Sequence, residues 1–150
     1  MLYAILMICT WLAVACQPAT PLPPVTAQMG GEFTLAPGET ATLEGVGLSL
    51  TFKNVTNDGR CPLEVECAES GPVTLTISVQ RGSSEPAEFV LMAFTDTDGR
   101  VPEGPFEGMQ DRVEVEAFVI QVKAIFPFPL NFEDEIEAGE YRAAFVVLEK

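Results

Sequence analysis

Val73-Thr-Leu-Thr-Ile-Ser-Val-Gln80 puts an apolar residue at every odd position and a polar one at every even position. A period of two marks an extended strand with one face on a core and the other in water, as antiparallel sheets have. The pattern recurs upstream, where Leu48, Leu50 and Phe52 alternate with Ser49, Thr51 and Lys53. A shorter pair of runs, Phe33 with Leu35 and Ala41 with Leu43, flanks Ala36-Pro37-Gly38-Glu39, which reads as the turn of a hairpin. Downstream, Glu88-Phe-Val-Leu-Met-Ala-Phe94 is apolar on both faces and predicts a central strand. Between Asp111 and Phe126 the apolar phase changes. Val113, Val115 and Ala117 keep one parity, and Ile120, Val122, Ala124 and Phe126 keep the other. Such a change near Phe118 predicts a bulge or a strand that passes from one sheet to the other. Tyr141 to Leu148 supplies a last apolar strand. The fold expected is all-β: a two-sheet antiparallel sandwich of about seven or eight strands, immunoglobulin-like in the loose sense, with a partly open barrel as the alternative.

A chain of 150 residues has room for one domain with its own core. Its first fifteen residues, MLYAILMICTWLAVA, are uncharged and almost wholly apolar. They are shorter than the roughly 20 residues that span a bilayer, and they read as a signal peptide. Leu12-Ala13-Val14-Ala15 followed by Cys16 resembles the lipobox of bacterial lipoproteins, which implies lipidation of Cys16. Residues 16–31 then form a Pro-rich tether, leaving 32–150 as the β-sandwich domain. The expected location is the cell envelope, outside the cytoplasm, with membrane contact through the lipid anchor only.

With 22 acidic and 8 basic residues the chain carries a formal charge of −14. Such a surface repels phosphate backbones and anionic headgroups, so no nucleic-acid partner is expected. The chain has no histidine, which removes Ser-His-Asp and Cys-His catalysis and most catalytic zinc sites. No G-x-S-x-G and no Gly-rich phosphate loop is present. We therefore expect no catalytic residue and no cofactor.

Of the four cysteines, Cys9 lies in the leader, Cys16 is the lipidation candidate, and Cys61 and Cys67 remain. In an exported domain one remaining pair predicts a disulfide, a clip between the strand ending near Val55 and that starting near Val73. A redox site would want the closer C-x-x-C spacing, and zinc would want four soft ligands. Phe33-x-Leu35, Leu48-x-Leu50-x-Phe52, Asp58-x-Arg60-Cys61-Pro62 and Cys67 followed by Gly71 together resemble a family of uncharacterised small bacterial lipoproteins with a D-x-R-C-P…C signature. The resemblance covers most of the chain after Cys16 and implies an exported β-domain without an established activity. Where that family carries an aromatic and small residues after the second cysteine, this chain reads Ala68-Glu69-Ser70. Asp58 and Arg60 match the signature and are expected to brace the clip by an ion pair or by backbone hydrogen bonds.

Three further features are candidates for a site. Thr95-Asp96-Thr97-Asp98-Gly99 begins like a calcium loop, with Asp96 and Asp98 as weak ligand candidates and Glu103, Glu107 and Asp111 as extra carboxylates. The fuller motif fails, because Phe94 stands where its first aspartate belongs. Glu64 and Glu66 would share one side of an extended segment, the kind of pair that runs glycoside hydrolysis. Ile125-Phe-Pro-Phe-Pro-Leu-Asn-Phe132 cannot sit inside a sheet, because Pro127 and Pro129 donate nothing to a ladder. Its Phe126, Phe128 and Phe132 are expected to plug the end of the sandwich; the other possibility is a partner surface, and Phe106 poses the same choice. The expected function is a non-catalytic binding or structural module with a protein or glycan partner. The alternatives are a carboxylate-based hydrolase, or a protease-inhibitor-like domain presenting the loop from Asp96 to Gln110.

Overall fold

The computed structural model describes residues 23–104, 106–133 and 135–150. Among them are nine strands and no helix: β1 (Val25–Ala27), β2 (Phe33–Leu35), β3 (Thr40–Leu43), β4 (Leu48–Asp58), β5 (Val73–Arg81), β6 (Ala87–Ala93), β7 (Arg112–Val115), β8 (Phe118–Phe126) and β9 (Arg142–Glu149). They form two sheets, one ordered β1-β3-β4-β5-β6 and the other β2-β9-β8-β7. Each sheet is mainly a meander, antiparallel except where β1 lies parallel to β3.

The alternating positions of β4 and β5 do what their period requires. Leu48, Leu50, Phe52, Val73, Leu75, Ile77 and Val79 all turn inward and lose their contact with water. The second sheet answers with Ile120, Val122, Ala143, Phe145 and Val147. Phe52 and Phe145 meet across the two layers with ring centroids 6.0 Å apart, a spacing at which aromatic pairs attract. The all-β sandwich expected from the sequence is the architecture found.

Four details differ from expectation. The Ala36–Glu39 turn forms, with Glu39 N donating to Ala36 O at 2.9 Å, but it is a corner between sheets, not a hairpin. β2 pairs with β9, whereas β3 pairs with β4, and Gly38 N ties the corner to Phe52 O at 2.7 Å. Glu88–Phe94 is not central. β6 is an edge strand with Val90 exposed, and the strand buried on both faces is β9. The phase change near Phe118 is a two-residue hairpin loop, since Val115 pairs with Phe118 and Glu116 takes φ 53°. Finally, the span read as tether, 16–31, contributes β1, whose Ala27 is buried against the core. The folded part thus begins before Glu32, and with β7 and β8 separate the strands outnumber the seven or eight expected.

Candidate functional site

At one end of the sandwich the β4–β5 connection, residues 59–72, meets the proline-rich segment that follows β8. The connection is closed first by backbone: Gly59 N donates to Pro72 O at 3.0 Å and Gly71 N to Gly59 O at 2.7 Å. A Cβ on either glycine would come within 2.9 Å of backbone oxygen on the opposing strand, so this approach needs residues without side chains. The loop is closed again by a disulfide between Cys61 and Cys67, the clip expected from the sequence.

Arg60 joins this loop to the rest of the molecule. Its side chain has no exposure to solvent. A guanidinium so placed must find a counter-charge and an acceptor for each donor. Nε donates to Asp58 Oδ1 at 2.8 Å, and Nη2 reaches Asp58 Oδ2. Nη1 donates to Ile125 O at 3.0 Å and Nη2 to Pro127 O at 2.8 Å. The guanidinium also lies 4.9 Å from the centroid of the Phe128 ring, within range of a cation–π attraction. Asp58 accepts a further bond from the Tyr141 hydroxyl at 3.1 Å. Burial, and then the negative charge of Asp58, push the Tyr141 phenol up to about 12.

The prolines that keep residues 127–130 out of a ladder leave their carbonyls available as acceptors. Pro127 O takes Arg60, Pro129 O takes Leu63 N at 3.1 Å, and Leu130 O takes Glu64 N at 2.9 Å. The disulfide loop and the proline segment are therefore one braced unit. On its surface stand Leu63, Leu130 and Phe132, with exposures of 52%, 45% and 73%. A groove of about 530 Å³, lined by Thr56, Pro62, Phe132, Ile136 and Tyr141 among others, runs along one side. A broader depression of about 830 Å³ adjoins it, with Glu135, Ile136 and Ala138 lining both. Ile136, Phe128 and Leu130 give it an apolar floor, and Glu133, Glu137 and Glu140 line its wall.

The three phenylalanines expected to plug the end of the sandwich divide instead, and Phe106 stands apart from them. Phe126 is half-buried, and its ring stands where a Cβ at Gly99 would touch it. Phe128 is half-buried beneath Arg60, and Phe132 is exposed rather than plugging the core. Phe106 belongs to a separate depression of about 570 Å³ with Met109, Asp111, Arg112, Gln121 and Lys123. There Asp111 is buried. Burial acts most strongly on its carboxyl, in the raising direction, but hydrogen bonds from Arg112 and Gln121 outweigh it and hold the group below the usual range.

Asp96 and Asp98 are exposed, and the Asp96 carboxylate is engaged by backbone N–H groups of Asp98 and Arg100 at 3.0 and 2.8 Å. Among the described residues no group of three or more acidic or cysteine side chains is arranged to hold a metal ion. Glu64 and Glu66 do not share an extended segment: Val65 N donates to Pro62 O, which puts Glu64 inside a turn and Glu66 beyond it. The loop from Asp96 to Gln110 is stitched to the sheets at both ends, through Val101 N to Lys123 O and through reciprocal bonds between Gln110 and Met92. Cys9, Cys16 and the leader lie outside the described residues.

Sequence reasoning missed Tyr141 as the second partner of Asp58, and Leu63 and Leu130 as companions of Phe132. An apolar residue inside the clip loop and another directly after Pro129 were the available signals. No family model, curated protein or solved structure matches this chain.

Proposed function

We propose that this chain is an exported, lipid-anchored module, held at the cell envelope through Cys16, that binds a partner with the clip end of its sandwich. The observation that supports this most directly is the grouping of exposed Leu63, Leu130 and Phe132 on segments braced by a disulfide and a buried ion pair. Apolar side chains gathered on a rigid surface lose little conformational entropy on binding, and contiguous exposed apolar patches on soluble domains commonly mark contact sites. The lipobox-like Leu12–Cys16 and the likeness to small bacterial lipoproteins support the anchored location. The proposed role is non-catalytic, with no cofactor.

A photo-reactive residue introduced at position 132 of the full chain in intact cells tests the reading. Position 90, also exposed but on the β6 edge, serves as control. Discrete adducts at 132 and none at 90 are expected. Equal labelling at both, or none at either, would remove the clip end as a binding surface.

A further inference from the structure

Resting on that reading, we infer that the clip end receives a cationic segment of polypeptide that carries an apolar anchor residue: Lys or Arg beside an aromatic or aliphatic side chain. The apolar half of the inference comes from exposed Phe132 in the groove and exposed Leu130 in the broader depression, with the half-buried Ile136 lining both and exposed Leu63 on the clip loop bonded to Pro129 beside them. Such a floor favours an apolar side chain that can displace water from it.

The charge of the partner follows from the rim. Glu64 follows Leu63 directly, and Glu133 follows Phe132, both exposed. Glu137 and Glu140 line the wall of the broader depression, and Glu135 borders both. Arg60 neutralises none of this at the surface, because its side chain is wholly enclosed and its donors are spent on Asp58, Ile125 and Pro127. The exposed cation nearest in sequence, Arg142, lines neither depression and turns its Nη1 to the carbonyls of Gly139 and Tyr141. An apolar floor with carboxylates around it is complementary to an apolar side chain flanked by cations. The formal charge of −14 reinforces the preference at long range, drawing cations in and repelling acidic proteins, anionic lipid and a second copy of the same surface.

Three synthetic peptides and the isotope-labelled full chain test this by nuclear magnetic resonance. One peptide alternates Lys with Leu and Phe, one has Glu in place of each Lys, and one sets Lys among Gly and Ser only. The Lys-Leu-Phe peptide should shift the Leu63 and Leu130 methyl signals and the Phe132 ring signals, with its affinity falling several-fold between about 50 and 300 mM salt. Phe132→Ser should weaken that binding about tenfold or more, as loss of an anchor residue does. The melting temperature of this exposed variant checks that the fold survives. Replacing Glu133, Glu135 and Glu137 together by Gln should flatten the salt dependence while leaving the patch in place.

Equal binding of the Glu-containing peptide at the same signals would overturn the cationic partner and leave the binding surface standing. Shifts produced as strongly by the Lys-Gly-Ser peptide would overturn the apolar anchor. Silence from all three peptides, with discrete adducts still forming at position 132 in cells, would reject this inference and not the proposed function.

Discussion

At Arg60 a full positive charge is enclosed between a carboxylate, two backbone carbonyls and the face of an aromatic ring. Replacing it by leucine would leave the Asp58 charge and the Ile125 and Pro127 oxygens without their partner. Removing one member of a buried pair costs about 3–5 kcal/mol, and Arg60→Leu should lose stability on that scale in urea unfolding. Arg60→Lys keeps the charge but not the planar fork, so it should recover only part of the loss. Tyr141 gives the same cluster a pH signature. Its phenol ionises near 10 in an unfolded chain and near 12 in the fold. A raised pKa contributes stability in full below about 10 and loses it as pH rises through about 12. Wild type should therefore weaken across that alkaline window, whereas Tyr141→Phe should lack this limb; phenolate absorbance alongside denaturant unfolding reads both. Asp58 and Arg60 were picked out by the D-x-R-C-P signature they match, with an ion pair as one of two expected forms of bracing. Their other partners were not legible, because Ile125, Pro127 and Tyr141 lie 65 residues beyond Arg60, 67 beyond Arg60 and 83 beyond Asp58.

The loop between β4 and β5 is held by a ring short enough that the chain-entropy model assigns its disulfide roughly 2 to 2.5 kcal/mol. Reduction should act locally as well as on total stability. The amides of Leu63 and Glu64, which donate to Pro129 and Leu130, should exchange with solvent much faster after reduction. Leu75 and Ile77, at the centre of β5, should keep their protection, and equal acceleration at both places would show that the clip is a global rather than a local constraint. Strands themselves were readable wherever one face is buried, as the inward Val73, Leu75, Ile77 and Val79 attest. The parity change between Val115 and Ile120 was visible but open to several causes. A two-residue loop makes Val115 and Phe118 direct partners, so an odd inward set hands over to an even one without any bulge. Glu116 sits in that loop at φ 53°, a conformation that costs a residue with a side chain about 1 kcal/mol. Glu116→Gly should stabilise the protein by up to that amount in thermal unfolding. The exposed pair lost with Arg81, at 3.5 Å, offsets little of it.

Which sheet a strand joins is a property of the whole molecule, and local patterning did not contain it. The corner at Ala36–Glu39 has the residues of a hairpin turn, yet β3 pairs onward with its neighbour β4, Leu43 facing Leu48, while β2 is claimed by β9, Leu35 facing Ala143 far along the chain. Charge also acts at this scale. A formal charge of −14 on one small domain repels itself, so at neutral pH added salt should raise the melting temperature by screening that repulsion. Acid should act in two stages. Protonating exposed carboxylates first relieves the repulsion. Glu32 and Asp111 behave differently, because their carboxyls are held below the ordinary range: Glu32 chiefly by its hydrogen bond from Arg100, and Asp111 by Arg112 and Gln121 against the opposing effect of burial. A depressed pKa contributes stability above the unfolded value, near 4, and loses it as pH falls through the folded value. Stability should thus hold or rise as pH falls from 7 toward about 4 and decline only below that. Asp111→Asn should lower stability throughout the neutral range and flatten the decline below about 4; a variant that keeps the full acid limb would show that Asp111 does not carry it.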